Sequence, residues 1–145
     1  MPRLTVLAIL IALLQALIVA PASAQKPAAP TRTAADCAKM ATGTQADLNE
    51  CYGQVAATAE AALAETIRKL TAKIADPAQK TLLTEAQRSW ADYRDRECAF
   101  ETAGTRGGTI NPMLQSICRA DKTRIHTVEL QKQLNCVEGD LACAH

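Results

Sequence analysis

From Leu48 onward the apolar residues Leu48, Tyr52, Val55, Ala59, Leu63, Ile67, Leu70 and Ile74 recur at steps of three and four. A single stripe of that period over roughly seven turns predicts one long amphipathic helix. Thr44-Gln45-Ala46-Asp47 has the form of a capping box and marks its start. Asp76-Pro77 ends it and opens a second helix, with Asp76 as the cap, Pro77 in the first helical position and Gln79 able to complete the cap. Leu83, Ala86, Trp90, Tyr93, Glu97 and Phe100 continue the period there. Large rings dominate buried area in small cores, so this helix is expected to be the packing centre. Gly104 to Ile110 breaks the pattern and reads as a loop. Asn111-Pro112 repeats the cap-then-proline signature, and Leu114, Ile117, Ile125, Val128 and Leu134 carry a third helix that fades near Asn135. Short connections between long helices imply antiparallel neighbours. The expected fold is all-α: a small, disulfide-stapled three-helix up-down-up bundle.

Upstream, Leu4–Ala20 is apolar except for Thr5 and Gln15, follows Arg3 and runs into Pro21-Ala22-Ser23-Ala24. That is the layout of a signal peptide over residues 1–24 rather than of a membrane anchor, although the run is about long enough to span a bilayer. Gln25 rather than a Cys stands directly after Ala24, so lipid attachment at the new N-terminus is not expected. Residues 25–35 are rich in Pro, Ala and Thr and read as a flexible leader, leaving 36–145 as one helical domain with a cysteine-containing tail. Removing 1–24 takes one basic residue, Arg3, from the 16 in the chain, leaving 15 basic against 15 acidic. Nucleic acid and anionic membranes are normally met with a basic excess, so neither is expected as the partner.

All six cysteines fall in the exported part: Cys37, Cys51, Cys98, Cys118, Cys136 and Cys143. An even count in an exported chain reads as a disulfide framework, and the location as periplasmic or secreted. No C-x-x-C pair is present and His126 and His145 are the only imidazoles, so no metal site and no cofactor are expected. Nearest-neighbour pairing would join Cys37 to Cys51, Cys98 to Cys118 and Cys136 to Cys143. Cys51 bonded to Cys136 or Cys143 would suit a bundle as well.

Enzyme machinery is missing: there is no Gly-rich phosphate loop, no G-x-S-x-G and no H-E-x-x-H. His126 reads as a solvated helix residue rather than a general base. Asp92 with Asp95 and Glu97 with Glu101 lie at helix spacing among arginines, as salt-bridged faces do. The segment Ala86-Gln87-Arg88-Ser89-Trp90-Ala91-Asp92-Tyr93-Arg94-Asp95-Arg96-Glu97-Cys98 is more specific. Together with Cys37, Leu48-Asn49-x-Cys51, Gly107-Gly108-Thr109, Cys118 and Arg124, it resembles the lysozyme inhibitor LprI-like N-terminal domain family over roughly residues 37–135. The family takes its name from lysozyme inhibition by a lipid-anchored member. The resemblance implies an exported, non-enzymatic binding protein whose partner is a lysozyme or another exported protein; the alternative is an envelope structural or interaction module without lysozyme affinity.

Within the motif Trp90 and Tyr93 are expected as core anchors. Arg94, three residues before Glu97, is expected to pair with it beside the indole, and Asn49 and Gln87 complete the structural motif. If buried, Arg94, Glu97 and Asn49 would form a polar network fixing helix register. The binding candidate is the loop Arg106, Gly107, Gly108 and Thr109, a cation on a narrow tether that could meet the paired carboxylates of a lysozyme cleft. The plainer reading is that the glycines serve chain reversal and Arg106 is solvated.

Overall fold

A computed structural model describes residues 32–40, 42–137 and 139–143. The expected signal peptide at 1–24 and the expected leader up to residue 31 lie outside the described residues. The chain is all-helical there, in the order α1 (Ala34–Ala38), α2 (Gln45–Lys73), α3 (Pro77–Glu101), a 3-10 turn (Ala103–Thr105) and α4 (Asn111–Leu134). One short helix is therefore added to the three expected. The last residues of the expected leader, Thr33–Ala35, instead open α1, because Thr33 and Asp36 form a reciprocal capping box.

Local sequence sets most of the borders. Thr44 caps α2, its hydroxyl accepting from the Asp47 amide while the Asp47 carboxylate accepts from Thr44. The cap hydrogen bonds from Thr44 hold the Asp47 carboxyl below its ordinary value of 3.8, and those from Thr33 do the same for Asp36. Asp76 caps α3 by accepting from the Ala78 amide, with Pro77 in the first turn. At α4 the expectation is corrected. Asn111 is the first helical residue, Ile110 occupies the cap position, and the Asn111 amide is turned back toward the preceding loop.

α2 and α4 share the main helix–helix interface. Their starts are joined by Asn49 Nδ2 donating to the Thr109 carbonyl (2.9 Å) and their ends by Lys73 Nζ donating to the Leu134 carbonyl (2.7 Å). The seam is buried and made largely of small residues: Val55, Ala56, Ala59, Leu63, Thr66 and Leu70 from α2 face Ala120, Thr123, Thr127 and Leu130 from α4. Small side chains let two helix axes approach closely. The buried threonines cost little because Thr66 and Thr127 return their hydroxyls to the carbonyls of Ala62 and Thr123. Cys37–Cys51 closes one end of this core and brings α1 onto it.

α3 is not the packing centre. Only Arg94 and Cys98 are buried on it; Leu83 and Trp90 lie against the core edge beside Leu70 and Leu130. Tyr93 is 56% exposed and Phe100 76%, and on α4 the expected core residues Ile125 and Val128 also face outward. The seam between α2 and α4 is already closed by alanines and threonines, so bulky rings have no void to enter. Cys98–Cys118 staples α3 to α4, and Cys136–Cys143 closes the tail; no described cysteine is free.

Candidate functional site

The Cys98–Cys118 end carries the loop singled out by its glycines. α3 stops at Thr102, whose hydroxyl donates to the Cys98 carbonyl (2.7 Å). A 3-10 turn follows, and amide-to-carbonyl bonds from Arg106 to Ala103, Gly108 to Thr105 and Asn111 to Gly108 carry the chain round. Gly107 has φ of +80°, the left-handed region that glycine occupies without strain. A side chain on Gly108 would come within 3.1 Å of the Thr105 carbonyl.

Side-chain amides hold this loop from both neighbouring helices. Asn111 Nδ2 donates to the Thr102 carbonyl (3.1 Å) and the Thr105 hydroxyl (3.0 Å), and Gln115 Nε2 to the Thr102 hydroxyl (2.7 Å). From α2, Asn49 reaches the Thr109 carbonyl and is itself steadied by Gln45 Nε2 (2.9 Å). Asn49 therefore anchors the loop rather than joining Arg94, because it lies near the start of α2, where its amide meets the Thr109 carbonyl. The anchors Thr102, Asn111 and Gln115 were not singled out in the sequence; amides and hydroxyls carry no periodic signal. Arg106 is exposed at the tip and makes no side-chain bond among the described residues. It is the only charged residue between Thr102 and Ile110, and exposed Phe100 and Ile110 flank the loop.

A second constellation lies halfway along the helices. Arg94, only 6% exposed, lies over the Trp90 ring at 5.3 Å. Its guanidinium donates to Asp95 (2.8 and 2.9 Å) and to the Thr123 hydroxyl (3.2 Å), and stands 3.3 Å from Glu60. Arg119 bridges from α4 to the same Glu60 carboxylate at 2.9 Å, with its Nε 3.3 Å from Asp95. The expected Arg94–Glu97 pair is absent. Arg94 turns inward, where Glu60 and Thr123 satisfy it, while Glu97 lies close enough to Lys122 to help raise the lysine's pKa. The larger cause of that rise is the hydrogen bond Lys122 donates to Glu101, its salt-bridge partner at 3.0 Å.

His126 is also corrected. It is not a solvated residue: it stacks on Trp90 with ring centroids 4.0 Å apart and planes within 10°. Its ring nitrogens lie 2.8 Å from Gln87 and 3.2 Å from Glu129, so Gln87 serves the Trp90–His126 stack. Trp90 thus meets both a guanidinium and an imidazole at the edge of the core, whereas Tyr93 faces solvent over a hollow of about 230 Å³ shared with Lys122, Ile125 and Glu129. Among the described residues no group of three or more His, Cys, Asp or Glu side chains could hold a metal, and no helix is long and apolar enough to cross a membrane. The constellation is a charge-pairing device that locks α3 onto α2 and α4.

No solved structure matches the chain. An uncharacterized protein of Rhizobium meliloti (strain 1021) is 35% identical over 133 residues, covering 83% of this chain and 89% of the relative. The family model described as lysozyme inhibitor LprI matches residues 37–130. That span opens on Cys37, holds the Cys37–Cys51 and Cys98–Cys118 bonds, the Arg94 constellation and the anchored loop, and stops before the Cys136–Cys143 tail. A helical scaffold locked by those two disulfides and matched over most of its length makes this chain a member of the lysozyme inhibitor LprI family.

Proposed function

We propose that the protein is an exported, non-enzymatic binder that blocks a lytic cell-wall hydrolase, with the loop from Thr102 to Ile110 entering the hydrolase cleft. Three disulfides support an oxidising, extracytoplasmic location. The observation that carries the reading is Arg106: an unpaired cation at the tip of a loop that is held by Asn49, Asn111, Gln115 and the Cys98–Cys118 staple. Lysozyme-type clefts present two carboxylates, and arginine meets a carboxylate with charge-assisted, paired hydrogen bonds. A loop ordered before binding loses less conformational freedom on docking, so more of that interaction appears as affinity. Ile110 would supply an apolar rim beside the charge.

The test is lysis of bacterial cell walls by several lysozyme types with oxidised protein added. Slowing at micromolar protein is expected, and Arg106→Glu should weaken it at least about tenfold by turning attraction into repulsion, with an unchanged melting temperature. No slowing with any lysozyme would leave the envelope interaction module as the function. Slowing that Arg106→Glu does not alter would move the binding surface away from the loop.

A further inference from the structure

The outer face of α3 is unused by the fold. At about 3.6 residues per turn, Leu82, Ser89, Tyr93 and Phe100 fall close to one line along it, and Leu82, Tyr93 and Phe100 are 65%, 56% and 76% exposed. On one flank of this line Glu85, Arg88, Asp92 and Arg96 alternate in sign at steps of three and four. All four are exposed, and among the described residues none makes a side-chain ion pair or hydrogen bond. Elsewhere the same spacing closes within a helix, as in Glu65–Arg68 at 2.6 Å and Asp121–Arg124 at 2.9 Å. Here an apolar line and an alternating charged row lie side by side, both without partners.

We propose that this face pairs with its copy on a second molecule, the two α3 helices running antiparallel across a two-fold axis. In that arrangement the same flank of each helix meets the same flank of the other. Leu82 then lies against the partner subunit's Phe100, and the small Ser89 lies beside the partner subunit's Tyr93. In the charged row Glu85 faces the partner subunit's Arg96, and Arg88 faces the partner subunit's Asp92. Symmetry repeats every contact. A parallel pairing would instead turn this charged flank toward the opposite flank of the partner helix, where Ala86, Trp90 and Glu97 stand, so the alternating row is answered only in the antiparallel register. Ile125, beside Tyr93 across the α3–α4 hollow, widens the apolar strip. The two loops from Thr102 to Ile110 end up at opposite ends of the pair, so association leaves the proposed hydrolase-binding tips free.

Sedimentation of the oxidised protein, read independently of any inhibition assay, tests the pairing. The wild-type chain is expected to form a reversible dimer at micromolar concentration. Arg88→Asp and Asp92→Arg alone should each weaken it at least about tenfold, since each places like charges together twice. The double exchange Arg88→Asp with Asp92→Arg should restore the dimer, while circular dichroism shows the same helical fold throughout. A wild-type chain that stays monomeric up to about 100 μM, single reversals that leave the dimer intact, or a double exchange that fails to recover it would each overturn the proposal.

Discussion

The α2–α4 seam and the α3 helix are both amphipathic by sequence, yet only the first behaves as a core. The seam is built from Ala56, Ala59, Ala120, Thr123 and a few leucines, and it closes tightly. α3 holds most of the aromatic mass of the domain and buries only Arg94 and Cys98. It is attached by a disulfide, a guanidinium bonded to residues from all three long helices, and an indole at the core edge. Small residues set how near two helices can come, and that nearness decides where rings can go. Size of side chain outweighed hydrophobicity here.

This contrast can be broken in three ways, beginning with the greatest expected loss. Leu70→Ala, at a position 1% exposed, should cost about 3 kcal/mol of unfolding free energy in denaturant titration, from lost transfer energy and the cavity left behind. Phe100→Ala removes a larger side chain but should cost less than about 0.5 kcal/mol, measured in the Arg88→Asp background so that association does not enter. Equal losses would mean that α3 is part of the core after all.

Next, Arg94→Ala should cost about 2–3 kcal/mol, because it takes from Glu60, Asp95 and Thr123 a donor that Arg119 replaces only at the two carboxylates, and removes the cation beside Trp90. Arg94→Met, which keeps the volume over the ring, should lose less. A stability unaffected by Arg94→Ala would show that the disulfide alone holds α3 in place.

The smallest effect concerns the helix starts. The Asp36 and Asp47 carboxyls titrate below their ordinary 3.8 because Thr33 and Thr44 donate to the ionised form. Their contribution is therefore complete above that value and is lost as the pH falls through the lowered pKa of the folded state. Thermal melts should show a small acid-induced drop below pH 3.8 that Asp47→Asn reduces; an acid limb of the same size in Asp47→Asn would remove the α2 cap as its cause.

Of the candidate loop, the sequence showed its position and its cation, since glycines and a lone charge between two capped helices are local features. Its anchors were hidden. Asn111 reads as a helix cap by sequence, but its amide serves Thr102 and Thr105, and Asn49 serves a carbonyl 60 residues away. Nothing in residue order announces which distant carbonyl an amide will find.

Helix type and most helix ends were settled by the chain itself, through the steps of three and four and through Thr44, Asp76 and Pro77, because these act within a turn or two of where they stand. Hydrophobic period gives a direction around a helix's own axis but says nothing of the depth available on that side. Only the packed molecule decided that Tyr93 and Phe100 face water, that His126 stacks on Trp90, and that Arg94 is answered by Glu60 and Thr123 instead of Glu97. Each of those outcomes depends on how closely α2 and α4 approach, a distance set jointly by residues far apart in the chain.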